Sequence, residues 1–169
     1  MTKTARFTGK VDLYSTREGF AGPKTQPVEF LATFEDDGTW VVKRNDFETV
    51  MIDDIEGPNG MAVELTVTLA GDATGSSNRA TGAGALDTEF AFELTVFFVS
   101  ATSSLALELD NAGAHVMVPG TTVQGAAIDP ATGRLVLAGV GAFSGGLLGG
   151  DRCAVVLNGA FAPNPWANG

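Results

Sequence analysis

The chain has 169 residues, enough for one domain with a substantial core, and its 44% hydrophobic against 18% charged residues exclude a disordered polymer, which needs the reverse balance. Twenty acidic against ten basic residues give a formal charge of −10, and a surface of that sign repels phosphate backbones and anionic lipid heads, so nucleic acid and acidic membranes are excluded as expected partners. A single cysteine, Cys153, excludes the disulfide-stapled secreted class; a reducing cytoplasm is the expected compartment, or the cell exterior if a leader was removed ahead of Met1.

Period-two alternation recurs along the chain, and no sustained three-and-four spacing marks a long amphipathic helix. Met1 to Phe7 lacks the apolar run of a signal peptide, and Arg6 to Tyr14 reads as the first strand. Ser15 to Gln26 carries Gly, Thr and Pro without periodicity and is expected to be a mobile loop. Val28 to Phe34 and Trp40 to Arg44 follow as strands, joined across Asp37-Gly38, a pair that supplies the positive φ of a tight hairpin.

Thr49 to Ile52 is a short strand inside an acidic stretch, where Glu35, Asp36, Asp37, Asp46, Glu48, Asp53, Asp54 and Glu56 face only Lys43 and Arg44. Asn59-Gly60 makes a second hairpin turn into the clearest strand, in which Met61, Val63, Leu65, Val67 and Leu69 alternate with Ala62, Glu64, Thr66 and Thr68. Gly71 to Asp87 is expected to be a second long loop. Phe90, Phe92, Leu94, Val96 and Phe98 then form another long apolar row, with Phe97 and Val99 filling the opposite face at its end.

Leu105 to Leu109, Thr121 to Ala127, Arg134 to Gly139 and Cys153 to Phe161 complete a set of roughly ten strands. Asp129-Pro130-Ala131-Thr132-Gly133 reads as a type I turn closed by a glycine bulge, and Gly149-Gly150-Asp151 as the turn before the last strand. The glycine-interrupted run from Leu135 to Leu148 is too short to span a bilayer as a helix. Residues 1–161 are expected to form a single all-β domain, and 162–169 a loosely held tail. Many antiparallel strands need their edges managed, so an antiparallel β-barrel of about 8 to 10 strands is the expected fold, with a two-sheet β-sandwich as the alternative.

Motifs for chemistry are sparse. His115 is the only histidine and lies beside Val116 and Met117 near an expected strand, so it is assigned no role, and the nucleophile spacing Gly-x-Ser-x-Gly is absent. One Cys and one His cannot build a zinc site; Asp53, Asp54, Glu56 and Asn59 could offer oxygen ligands to calcium but follow no standard calcium-loop spacing, so a solvated acidic turn and no metal is the expectation, with calcium as the alternative. Phosphate-binding motifs are missing as well. Cys153 shares its parity with Val155 and Leu157 and reads as a packed apolar residue.

Glu29, Glu64, Glu89 and Glu93 sit opposite larger apolar rows, which favours outward, solvated positions. Turned into an apolar cavity, such a carboxyl would gain a raised pKa suited to general acid or base work, and Glu93, between Phe92 and Leu94, is the catalytic candidate. Eleven phenylalanines and two tryptophans supply enough surface to line a ligand cavity. Phe30, Phe34, Trp40, Phe90, Phe92 and Phe98 are the expected lining.

The segment Leu137-Ala138-Gly139-Val140-Gly141-Ala142-Phe143-Ser144-Gly145-Gly146 resembles the Gly-x-Gly-x-Phe-x-Gly hairpin of allene oxide cyclase and dirigent-type barrels. The resemblance covers about 25 residues with the following strand. It implies an eight-stranded barrel around an apolar, often unsaturated ligand, with enzyme members that steer a cyclisation by shaping the substrate, and no cofactor; none of the family's polar catalytic residues matches a motif here.

Three functions follow as expectations. The first is a barrel that binds a hydrophobic small molecule, and the second a cofactor-free cyclase or isomerase on the same scaffold. The third is a structural or self-assembling protein: in the low-charge C-terminal third, Ala154, Val156, Asn158 and Ala160 form an outward face expected to pack on another subunit or under the tail.

Overall fold

Alternation becomes burial in the first strand: on β1 (Lys3–Ser15) Ala5, Phe7 and Leu13 are buried while Thr4, Arg6 and Thr8 between them are exposed. The computed structural model describes residues 1–16, 24–56, 61–96, 99–111, 114–116, 122–124, 128–146 and 148–167. The same pattern runs through β2 (Lys24–Phe34), β3 (Thr39–Val42), β4 (Val50–Glu56), β5 (Ala62–Leu69), β6 (Ala73–Ser77), β7 (Gly84–Val96) and β8 (Val99–Asp110). The short pair β9 (Ala114–Val116) and β10 (Thr122–Gln124) precedes β11 (Arg134–Ala142) and β12 (Arg152–Ala162). Among the described residues there is no α-helix, and none long and apolar enough to cross a membrane.

Neighbouring strands pair antiparallel in the ring β1-β2-β3-β6-β7-β8-β11-β12, and β12 returns to β1 with Arg6 opposite Ala162 and Ser15 opposite Cys153. The fold is therefore a closed eight-stranded antiparallel barrel, and the sandwich alternative falls away. β5 and β4 are two further strands that carry on the line of β6 and β3: Val42 faces Ala73, and Val50 faces Val67 beyond the interruption. A 3₁₀ turn at Arg44–Asp46 makes that interruption, anchored where the Arg44 N–H donates to Asp72 Oδ1 at 2.9 Å.

Closure depends on glycine at the seam between first and last strands. Gly9 and Gly159 face each other across it, and a Cβ on either would lie 2.3 to 2.4 Å from a backbone oxygen of the other strand. Similarly, a Cβ at Gly139 would meet Glu108 O at 2.6 Å, so the glycine lets β11 approach β8.

One expected loop and the tail are corrected, and the other loop is shortened at its ends. Gly71 to Asp87 is largely paired backbone, holding β6 and the start of β7, because Gly75 gives the Trp40 indole the room to lie against the strand. Of the Ser15 to Gln26 segment, its ends belong to β1 and β2 and residues 17–23 lie outside the described residues. The tail is docked: Trp166 is buried against Phe34, the Arg79 guanidinium lies over its ring, and the Asn164 amide donates to Pro130 O at 2.8 Å.

The expected turns at Asp37-Gly38 and Asp129–Gly133 form, with positive φ at Gly38 and Gly133. Asn59-Gly60 lies outside the described residues, although the strands flanking it pair antiparallel as expected. Of the expected outward face on β12, Asn158 and Ala160 are not buried. Ala154 and Val156 instead pack with Ala138, Tyr14 and Val136 in a small cluster on the outer wall, so this chain covers them itself.

Candidate functional site

The interior divides by height. At the end where the tail docks, aromatic rings fill the section: Phe7 stacks on Phe30 with centroids 4.7 Å apart, Phe34 stacks on Trp40 at 5.4 Å, and Phe161 meets all four edge-on. Trp166 closes this floor against Phe34. Such packing leaves no room for a guest.

Above the floor the wall opens sideways. β2 pairs with β3 only at Thr33 and Phe34; after the Phe30–Phe47 bridge and the Glu48 N–H to Glu29 O hydrogen bond, no ladder among the described residues joins it to β4. The causes are local. Pro27, lacking an N–H, sits in the free-edged stretch of β2, where strands tolerate proline. The 3₁₀ turn re-aims the chain entering β4, and a register shift between Ile52 and Ile55 bends β4 further along β5.

Into this parting opens an apolar crevice lined by Val11, Leu13, Val28, Phe47, Val50, Ile52, Val67, Phe90, Phe92, Val155 and Leu157. It has room for about one water molecule, about 20 Å³, and with the open space at its mouth it measures about 360 Å³. Phe47 stands half-buried where the strands part, its ring stacked over Phe30 at 6.1 Å and tilted against Phe90 at 6.1 Å. On the outer wall, Arg6 reaches Glu29 at 3.3 Å and Glu48 at 3.8 Å and so bridges the lower end of the parting; both pairs are exposed and contribute little to stability.

Of the expected lining, Phe90 and Phe92 line the crevice. Phe30 lies beneath it, and Phe34 and Trp40 belong to the packed floor. Phe98 lies outside the described residues. Glu93 is corrected: it is exposed on the outer wall of β7, and parity puts Phe92 and Leu94, not the carboxylate, inside. Glu64 and Glu89 are exposed too, and Glu29 half-exposed.

Cys153 is buried in the inner row, and burial pushes its thiol far above the usual range, which removes it as a nucleophile. His115 is on β9, but its side chain lies outside the described part. Of the acidic calcium candidates only the Asp53 side chain is described. It is exposed, and no metal-binding cluster occurs among the described residues. A second concavity, about 450 Å³ and wide open, lies on the outer wall of β6, β7 and β8 among Asp72, Asp87, Glu89 and Glu108 and has the character of a solvated acidic surface.

The aliphatic lining is hard to pick out in sequence because Val11, Val28, Val50 and Val155 look like any barrel wall. Phe47 is hidden because it follows a turn. Pro27 and the polar run Arg44-Asn45-Asp46 are the available signals that β2 and β4 part company. No protein-family model, curated protein or solved structure matches this chain.

Proposed function

We propose that the protein binds a hydrophobic small molecule in the crevice between β2 and β4. One observation carries the reading: the apolar hollow of the interior coincides with the place where the wall has no hydrogen-bonded ladder, so a guest enters by displacing the Phe47 ring, without breaking strand pairing. Each crevice residue contributes only carbon to the surface, and burial of apolar area supplies the affinity, roughly 25 cal/mol per Å² before the costs of association. The carbon-only lining favours binding over the cyclase alternative.

The test is fluorescence of N-phenyl-1-naphthylamine, a neutral aromatic probe that brightens in apolar surroundings. The wild-type protein is expected to enhance it saturably, with near-stoichiometric uptake. Val155→Phe, which fills the hollow from β12, is expected to weaken that uptake at least about tenfold while near-ultraviolet circular dichroism stays native. An unresponsive probe with folded wild-type protein overturns the reading.

A further inference from the structure

We infer that Lys24 makes the crevice selective for apolar molecules carrying one negatively charged end; the inference rests on the crevice being a binding site. Lys24 begins β2 on the same face as Val28 and Phe30, the face turned to the interior. Its residue is 8% exposed, and it is the one charged residue among the buried described residues. Lysine is rarely buried to this degree, because its ammonium is costly to remove from water and must be compensated.

Its place is specific. Across the β1–β2 ladder Lys24 lies opposite Leu13, and Gln26, two residues on, lies opposite Val11; Leu13 and Val11 both line the crevice. Directly opposed residues hold their Cβ atoms roughly 5 Å apart, so the lysine stem begins beside the apolar wall. Ser15, also buried and polar, continues the β1 side of this rim at the same end of the barrel. The crevice thus has an oily wall on Val11, Leu13 and Val28, and Lys24 and Gln26 stand across the ladder from the first two of these.

Lys24 already has a partner within the chain, and an ammonium, with three donors, recognises a carboxylate or sulfonate through charge-assisted hydrogen bonds. The selectivity is not a property of the surface at large: with a net charge of −10 the protein repels anions at a distance. An anion bound here must be recognised at short range.

A matched probe pair tests this. 1-Anilinonaphthalene-8-sulfonate is N-phenyl-1-naphthylamine with a sulfonate added. The wild-type protein is expected to bind the sulfonate at least about tenfold more tightly, the return of one charge-assisted hydrogen bond. Lys24→Met is expected to abolish the difference by weakening the sulfonate's binding at least about tenfold, and Lys24→Arg to restore a preference for the anion. Where Lys24→Met fails to fold, the wild-type protein alone decides: dodecanoate is expected to displace the neutral probe at a concentration at least about tenfold lower than dodecanol.

Equal affinities for the two probes, equal potency of the two competitors, or a Lys24→Met variant that weakens both probes alike overturns the role of Lys24 and leaves the binding site standing. Failure of the wild-type protein to bind the neutral probe, the anionic probe and dodecanoate overturns both the site and its selectivity.

Discussion

Tyr14 shows at residue scale how the outer wall is sealed. It stands opposite Ala154 and packs against the cluster of Ala138, Ala154 and Val156, and burial, aided by the nearby Asp12 carboxylate, raises its phenol above the ordinary value of 10.0. It is the only tyrosine, so absorbance near 295 nm reports it alone. The expected titration midpoint is above that of free tyrosine, falling toward 10 in Asp12→Asn. The sign for stability follows: a folded-state pKa above the unfolded value favours the neutral phenol, so the contribution is complete below the unfolded pKa and is lost as pH rises through the folded one. A midpoint at or below that of free tyrosine would contradict the sealed cluster. Outward burial of this kind was not legible in the sequence, where Ala154 and Val156 read as an open face, because what covers them comes from β1 and β11. Residue parity, by contrast, was enough to place Glu93 outside and Cys153 inside.

At the scale of the element, strands were readable wherever a row alternated and both ends were marked. The rows of β1, β5 and β7 follow their patterns closely. β6 was not legible: Ala73-Thr74-Gly75-Ser76-Ser77 has the composition of a loop, and it is a strand because its backbone completes the ring between β3 and β7 while Gly75 yields its side-chain volume to Trp40. Tertiary demand overrides propensity there. The parting of β2 from β4 was invisible for the opposite reason, since an absent ladder leaves no periodicity to read. The seam of β1 and β12 gives the sharpest prediction. Gly159→Ala drives a methyl group toward Thr8 O and the Phe7 ring, and is expected to cost about 1–3 kcal/mol in urea unfolding. Ala160→Gly, at an exposed position of the same strand, serves as the control for a mere change of strand propensity. If Gly159→Ala is no worse than that control, the tight seam is not what closes the barrel.

For the molecule as a whole, shape was legible and the site was legible only in part. An interior rich in Phe and an all-strand chain led to a barrel around an apolar centre, but which rings fill the centre and which border free space depends on the tail, whose Trp166 occupies one end. Charge acts at the same scale. Ten surplus negative charges repel one another across the outer wall, whereas Arg6 with Glu29 and Glu48 is an exposed pairing of small worth. Added salt screens that mutual repulsion more than it weakens the pairing, so the urea midpoint at neutral pH is expected to rise between 10 mM and 500 mM sodium chloride, by about 1 kcal/mol in stability. A midpoint that falls would mean that the ion pairs dominate. The seam has one more consequence, which concerns time. Residues 3–15 are made well before their partner strand at 152–162, so β1 keeps an open edge and an uncovered oily face while the strands between them are synthesised. During translation this chain is therefore expected to need more shielding of its nascent strands than a fold whose neighbours are all close in sequence.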